Sequence, residues 1–170
     1  MDELSYTSVI REQTRRALWN VRNVISCVPG GMWGRDYCEM PLWKHIYHTL
    51  HSLDRYFINP WDYTEPPFHV QDLNDLDVKT DKALSRDDLI RYLECIEQKI
   101  NAYLDGLTDG MLLEKPESSA FTRFTLILAQ HRHLNCHLGM LMGFIIAETG
   151  LWPVTVGLQS EIPAEYGAFC

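Results

Sequence analysis

Among the seven histidines of this 170-residue chain, two carry a spacing that can do chemistry. His133 and His137 stand four apart within residues 119–148, SAFTRFTLILAQHRHLNCHLGMLMGFIIAE, which reads as one long helix. Residues i and i+4 share a helix face with Cβ atoms about 5–6 Å apart, so two such imidazoles can converge on one ion at roughly 2.0–2.1 Å each. Counting about 100° per residue puts Leu126, His133, His137, Met140 and Phe144 in one sector of about 60°. The pair therefore lies in line with apolar side chains. A second apolar stripe runs through Phe121, Phe124, Leu128, Leu138, Met142, Ile145 and Ile146, so the helix is apolar nearly all round and is expected in the middle of the fold. Gly139 and Gly143, again four apart, read either as a close approach by a neighbouring helix or as tolerated breaks in propensity. A second apolar segment, PLWKHIYHTLHSLDRYF at 41–57, carries His45, His48 and His51. Two helices meeting around a metal ion is the arrangement these residues suggest.

Four helical segments must position those side chains. Residues 4–28 repeat apolar positions at Val9, Ile10, Ala17, Leu18, Val21, Val24, Ile25 and Val28, with Ser5 or Thr7 as cap and Pro29-Gly30-Gly31 as stop. Trp33 and Tyr37 in the following loop are expected to close one end of the bundle rather than to line a cleft. Pro41 opens the second helix, 41–58, at a position where its missing amide costs nothing. The stripe of that helix is Leu42, Ile46, Leu50, Leu53 and Phe57. On the wheel His45 lies about 100° from the stripe's centre, His51 about 140°, and His48 nearly opposite, so periodicity leans to His45 as the inward ligand. Residues 59–84 hold Pro66-Pro67 and an acidic run, and form a long crossover that either covers a pocket or merely spans the surface. His69 reads there as a loop residue. Ser85-Arg86-Asp87-Asp88 forms an S-x-x-D capping box for an amphipathic scaffold helix at 85–106, ended by Gly106. Ser118 or Ser119 is expected to cap the last helix. The tail, 150–170, is expected to be irregular, with Leu151, Trp152, Val154 and Val156 packing back on the bundle and no evident strand partner.

Composition narrows the function. The chain reads as one domain, 1–170, with a net charge of −8 that argues against nucleic acid and anionic lipid as partners. No apolar run reaches about 18 residues and no signal-peptide order opens the chain, so a cytoplasmic, non-membrane protein is expected. The five cysteines are scattered without a CxxC, as reduced thiols would be. No nucleotide loop, G-x-S-x-G, HExxH or Glu-x-x-His pattern occurs.

Two stretches, YHTLHSLDRYF at 47–57 and RHLNCHLGML at 132–141, resemble the second-helix and fourth-helix signatures of the DinB-like superfamily, also called damage-inducible or YfiT-like metal-dependent proteins. The resemblance implies an all-α, up-down-down-up four-helix bundle with a long crossover between helices two and three. It implies a metal triad of His48, His133 and His137 with the remaining positions open to water, and pairing as a homodimer. It also selects His48 where the wheel leans to His45, leaving His45 beside the ion as a pocket residue. His131 points away from the pair, toward the surface or a dimer contact.

Three neutral imidazoles leave at least one position open on a divalent ion, which is the catalytic rather than the closed structural arrangement. Zinc is the natural expectation for such ligands, with nickel, iron, cobalt or manganese as alternatives. Such an ion supports hydrolysis through bound water, or transfer and isomerisation through a low-molecular-weight thiol, the chemistry the resemblance implies. Tyr47, Asp54, Tyr56 and Glu148 are candidates for hydrogen bonding or proton transfer around it. The alternatives are a non-catalytic metal- or ligand-binding protein, and a plain bundle whose histidines only pack.

Overall fold

The computed structural model describes residues 5–170, in which four helices carry the architecture: α1 (Tyr6–Cys27), α2 (Leu42–Tyr56), α3 (Arg86–Asp105) and α4 (Arg123–Thr149). Of the expected first helix, residue 4 lies outside the described residues. Both α1 and α2 pack against α3 and α4, so α1 and α2 face each other across the diagonal. The result is the expected all-α four-helix bundle, up-down-down-up, with the crossover between α2 and α3.

Each helix starts where its local chemistry dictates. The Ser5 hydroxyl accepts from the Ser8 amide and the Ser8 hydroxyl takes up the reciprocal role, a capping box that fixes the start of α1. Asp109 holds the same end from outside, its carboxylate accepting from the Tyr6 and Thr7 amides at 3.0 and 2.8 Å. Ser85 and Asp88 form the expected box on α3. The start of α4 corrects the sequence expectation. Its cap is Thr122, accepting from the Thr125 amide at 3.1 Å, rather than Ser118 or Ser119. Ser119 instead bonds the backbone of Phe121 on both sides, forming a turn that holds 119–121 out of the helix. Pro41 likewise caps α2 from a short hairpin instead of lying inside it. Strands β1 (Asp36–Tyr37) and β2 (Met40–Pro41) pair across Cys38 and Glu39, both with positive φ, as a two-residue turn of the twisted kind requires.

The core is layered from α1 (Leu18, Val21, Val24, Ile25), α2 (Leu42, Ile46, Leu50, Leu53), α3 (Leu89, Leu93, Ile96, Ile100) and α4. Although apolar side chains occur round most of α4, it buries one face only, formed by Leu126, Ile127, Gln130, Leu134, Leu138, Leu141 and Ile145. The expectation of a helix buried in the middle is thus corrected: Leu128 is half exposed, and nothing approaches the positions a Cβ would take on Gly139 or Gly143. The reverse holds for α2, which is covered on two sides. Core helices take one side. The crossover takes the other, with Leu73 fully buried and the Lys44 amine bonded to the Val78 carbonyl.

The tail is tied down more firmly than its composition suggests. Val154 donates to the Ala168 carbonyl and Cys170 to the Trp152 carbonyl, both at 2.9 Å, closing an isolated antiparallel bridge between Pro153 and Phe169. Asn23, fully buried on α1, clamps both arms: its amide donates to Val154 and Ala168 carbonyls and its carbonyl accepts from Gly167 and Ala168 amides. Val156 is buried as expected, whereas Leu151 and Trp152 stay exposed.

Candidate metal centre

The side chains of His48, His133 and His137 come together between α2 and α4, with one nitrogen from each ring within 4.8 Å of the others. Ring centroids lie 4.4 Å apart for His133 and His137, 4.8 Å for His48 and His137, and 5.6 Å for His48 and His133. The fourfold spacing on α4 brings its two rings edge to edge, with Nε2 to Nε2 at 3.1 Å. Two nitrogens bound to a tetrahedral zinc at the usual lengths are about 3.3 Å apart, so the pair is already near ligand spacing. All three rings are partly buried.

The crossover sets the third ring. His48 Nδ1 lies 2.8 Å from the carbonyl oxygen of Asn74, which can only accept, so that nitrogen carries the proton and Nε2 is left with its lone pair. A histidine whose other nitrogen donates to a backbone carbonyl is the usual arrangement of a metal ligand. The Nδ1 atoms of His133 and His137 are buried with no partner. Burial pushes the His137 pKa down to about 4, helped by the neighbouring His133, His48 and His45. His133 is lowered by burial and then by His48. Both rings are therefore neutral near pH 7 and their lone pairs are available. A nitrogen-rich cluster of neutral rings fits a divalent cation, which would take the place of the hydrogen bond between the two α4 rings.

A polar cleft of about 400 Å³ borders the cluster, lined by His48, His51, Ser52, Arg55, Tyr56, Asn74, Gln130 and His133. His48 and His133 thus meet both the cluster and open space. A larger hollow of about 670 Å³ lies between the crossover and α3, lined by Asp54, Phe68, Tyr92, Cys95 and Lys99, and none of the three histidines reaches it.

His45 is buried with Nε2 donating to the Tyr37 carbonyl at 2.7 Å and its ring edge on Phe144, so the ring favoured by periodicity is committed to the hairpin. It is close enough to His137 to lower its basicity but does not join the triad. Tyr37 stacks on Phe144, and the Trp33 indole donates to the Leu84 carbonyl, so both aromatics close the bundle end as expected. Tyr47 does not face the triad: its hydroxyl lies 2.6 Å from His69 Nδ1. Asp54 faces α3, accepting from Tyr92 at 2.8 Å and from Lys99 at 2.7 Å. Glu148 is held by Arg35 through two bonds of 2.8 Å. Only Tyr56 of that group lies on the cleft beside His48 and His133. His131, expected at the surface, turns inward to Thr14 at 3.0 Å.

Sequence reasoning missed Glu65 and underrated His51 and His69. His51 Nε2 lies 2.7 Å from Glu65 Oε2, and His69 Nδ1 lies 3.7 Å from the same oxygen. The one signal for Glu65 and His69 was their fourfold spacing around Pro66-Pro67 inside a crossover longer than it needed to be.

No protein-family model, curated protein or solved structure matches this chain. No helix among the described residues is long and apolar enough to cross a membrane.

Proposed function

We propose that this protein is a divalent-metal-dependent enzyme of DinB-like kind, acting on a small molecule in the cleft beside His48, His133 and His137. One observation carries the reading: three imidazoles from two helices bring one nitrogen each within 4.8 Å of the others, beside a polar cleft that His48 and His133 line. A closed structural site has four protein ligands, whereas three ligands beside open space suit catalysis. Bound there, the ion would supply Lewis acidity, for holding a thiolate in transfer or isomerisation or for activating water in hydrolysis. Zinc is the first choice, ahead of nickel, iron, cobalt and manganese.

The chain's own residues prepare the site. Asn74 fixes the His48 ring and its tautomer. Arg55 places a cation at the cleft, where it suits the carboxylate of a small thiol or of its electrophilic partner. Ser52, Gln130 and Tyr56 add neutral hydrogen-bonding groups around it.

The test is elemental analysis of untagged protein prepared without chelator, together with His45→Ala, His48→Ala and His137→Ala. At least one ion per chain is expected in the parent and His45→Ala, and one fewer in the other two. Equal metal in His48→Ala and the parent rejects the triad. A panel of simple electrophiles with and without low-molecular-weight thiols then separates transferase from hydrolase, and absence of turnover in metal-loaded protein favours a non-catalytic binding role. The homodimer that accompanies this reading is checked by the native mass in light scattering.

A further inference from the structure

We propose that His51, Glu65 and His69 form a second divalent-cation site, which joins α2 to the crossover one helical turn from the triad. The three offer one nitrogen or carboxylate oxygen each within 4.8 Å of one another. Ligand atoms around a tetrahedral ion at ordinary bond lengths stand about 3.3 Å apart. The separations here, 2.7 Å from His51 Nε2 to Glu65 Oε2 and 3.7 Å from that oxygen to His69 Nδ1, bracket this value. The Tyr47 hydroxyl lies 2.6 Å from His69 Nδ1 and helps to orient that ring.

Two histidines with one carboxylate form a mixed nitrogen and oxygen set suited to zinc, iron(II) or manganese. The carboxylate also adds a negative charge that the triad lacks. The parts are held in place before any ion arrives. Tyr47 and His51 are i and i+4 on α2, both buried. Glu65 and His69 flank Pro66-Pro67, whose fixed φ angles and the turn bond from the His69 amide to the Pro66 carbonyl, 2.8 Å, set their spacing. The imidazoles of His51 and His69 stack with centroids 5.1 Å apart at 21°, so neither ring is free to swing away. Arg55, 3.4 Å from the other oxygen of Glu65, leaves Oε2 to face the rings. His51 also lines the cleft that borders His48 and His133, which places both sites along one opening.

This inference does not depend on the triad binding metal, and one titration separates the two. Untagged protein is stripped with chelator, re-equilibrated with excess zinc, passed through a desalting column and assayed for zinc per chain. The parent is expected to hold two ions, Glu65→Gln/His69→Gln one, and His133→Ala/His137→Ala one. A parent with one ion that is lost in the Glu65/His69 variant and kept in the His133/His137 variant supports this site while refuting the triad. A parent whose zinc content is unchanged in the Glu65/His69 variant overturns the proposal. Both substituted positions lie outside the helices, and far-UV circular dichroism checks the fold. Should the double variant misfold, Glu65→Gln alone, altering a partly exposed carboxylate, must still lose one equivalent.

Discussion

Replacing His137 by leucine separates a metal centre from ordinary packing, because the two predict opposite changes. The ring sits 4.4 Å from His133 and 4.8 Å from His48, with a buried, unpartnered Nδ1. An unpaired buried polar atom costs about 1–3 kcal/mol, while the hydrogen bond that His137 shares with His133 is worth about 1 kcal/mol, so metal-free His137→Leu is expected to be no less stable than the parent. Metal reverses the order. An ion at 100 times its Kd stabilises the folded parent by about 2.7 kcal/mol. With about 2.1 cal/mol/K of unfolding entropy per residue, 170 residues give about 3 °C of Tm per kcal/mol, so the ion raises the parent Tm by about 8 °C. The variant gains none of this. The assay is thermal unfolding by circular dichroism of chelator-stripped protein with and without zinc, carrying Glu65→Gln in both proteins so that the carboxylate cluster does not contribute. A variant that is several kcal/mol less stable without metal, yet responds to zinc as the parent does, refutes the reasoning: the histidines would then be packing groups.

Two further predictions test the frame around the site. Asn23→Ala removes four hydrogen bonds to the tail, at about 0.5–1.5 kcal/mol each in isolation; partial rescue by water leaves an expected loss of about 2–4 kcal/mol in urea unfolding, with the amides of residues 167 and 168 losing protection in hydrogen exchange. Unchanged protection would show that the tail is held by other contacts. Burial pushes the Cys27 thiol up to about 11, so at pH 8 it is overwhelmingly protonated; four thiols, Cys38, Cys95, Cys136 and Cys170, should react rapidly with a disulfide reagent, and Cys27 only on unfolding. Five fast thiols would contradict the packing of α1 against the tail.

Much of the frame was legible in the sequence because it rests on local rules. Apolar repeats mark four helices, and the Ser85 and Asp88 box starts α3. The fourfold spacing of His133 and His137 alone implies two imidazoles on one face, as found. Even the miss at the start of α4 is local: a Ser119 turn competed with a Ser119 cap, and the turn won.

What the sequence could not settle was direction between elements. The apolar stripe of α2 points to the core, but the site lies where α2 meets α4 and the crossover, so a wheel centred on the stripe favoured His45 over His48. The residues that complete the picture, the Asn74 carbonyl, Glu65 and His69, come from a segment with no period to read. Their positions follow from how residues 57–85 fold over α2, with Leu73 buried beneath them. Helix identity is written in neighbours three and four apart, whereas the meeting of His48 with His133 spans 85 residues of chain and exists only once the bundle has packed.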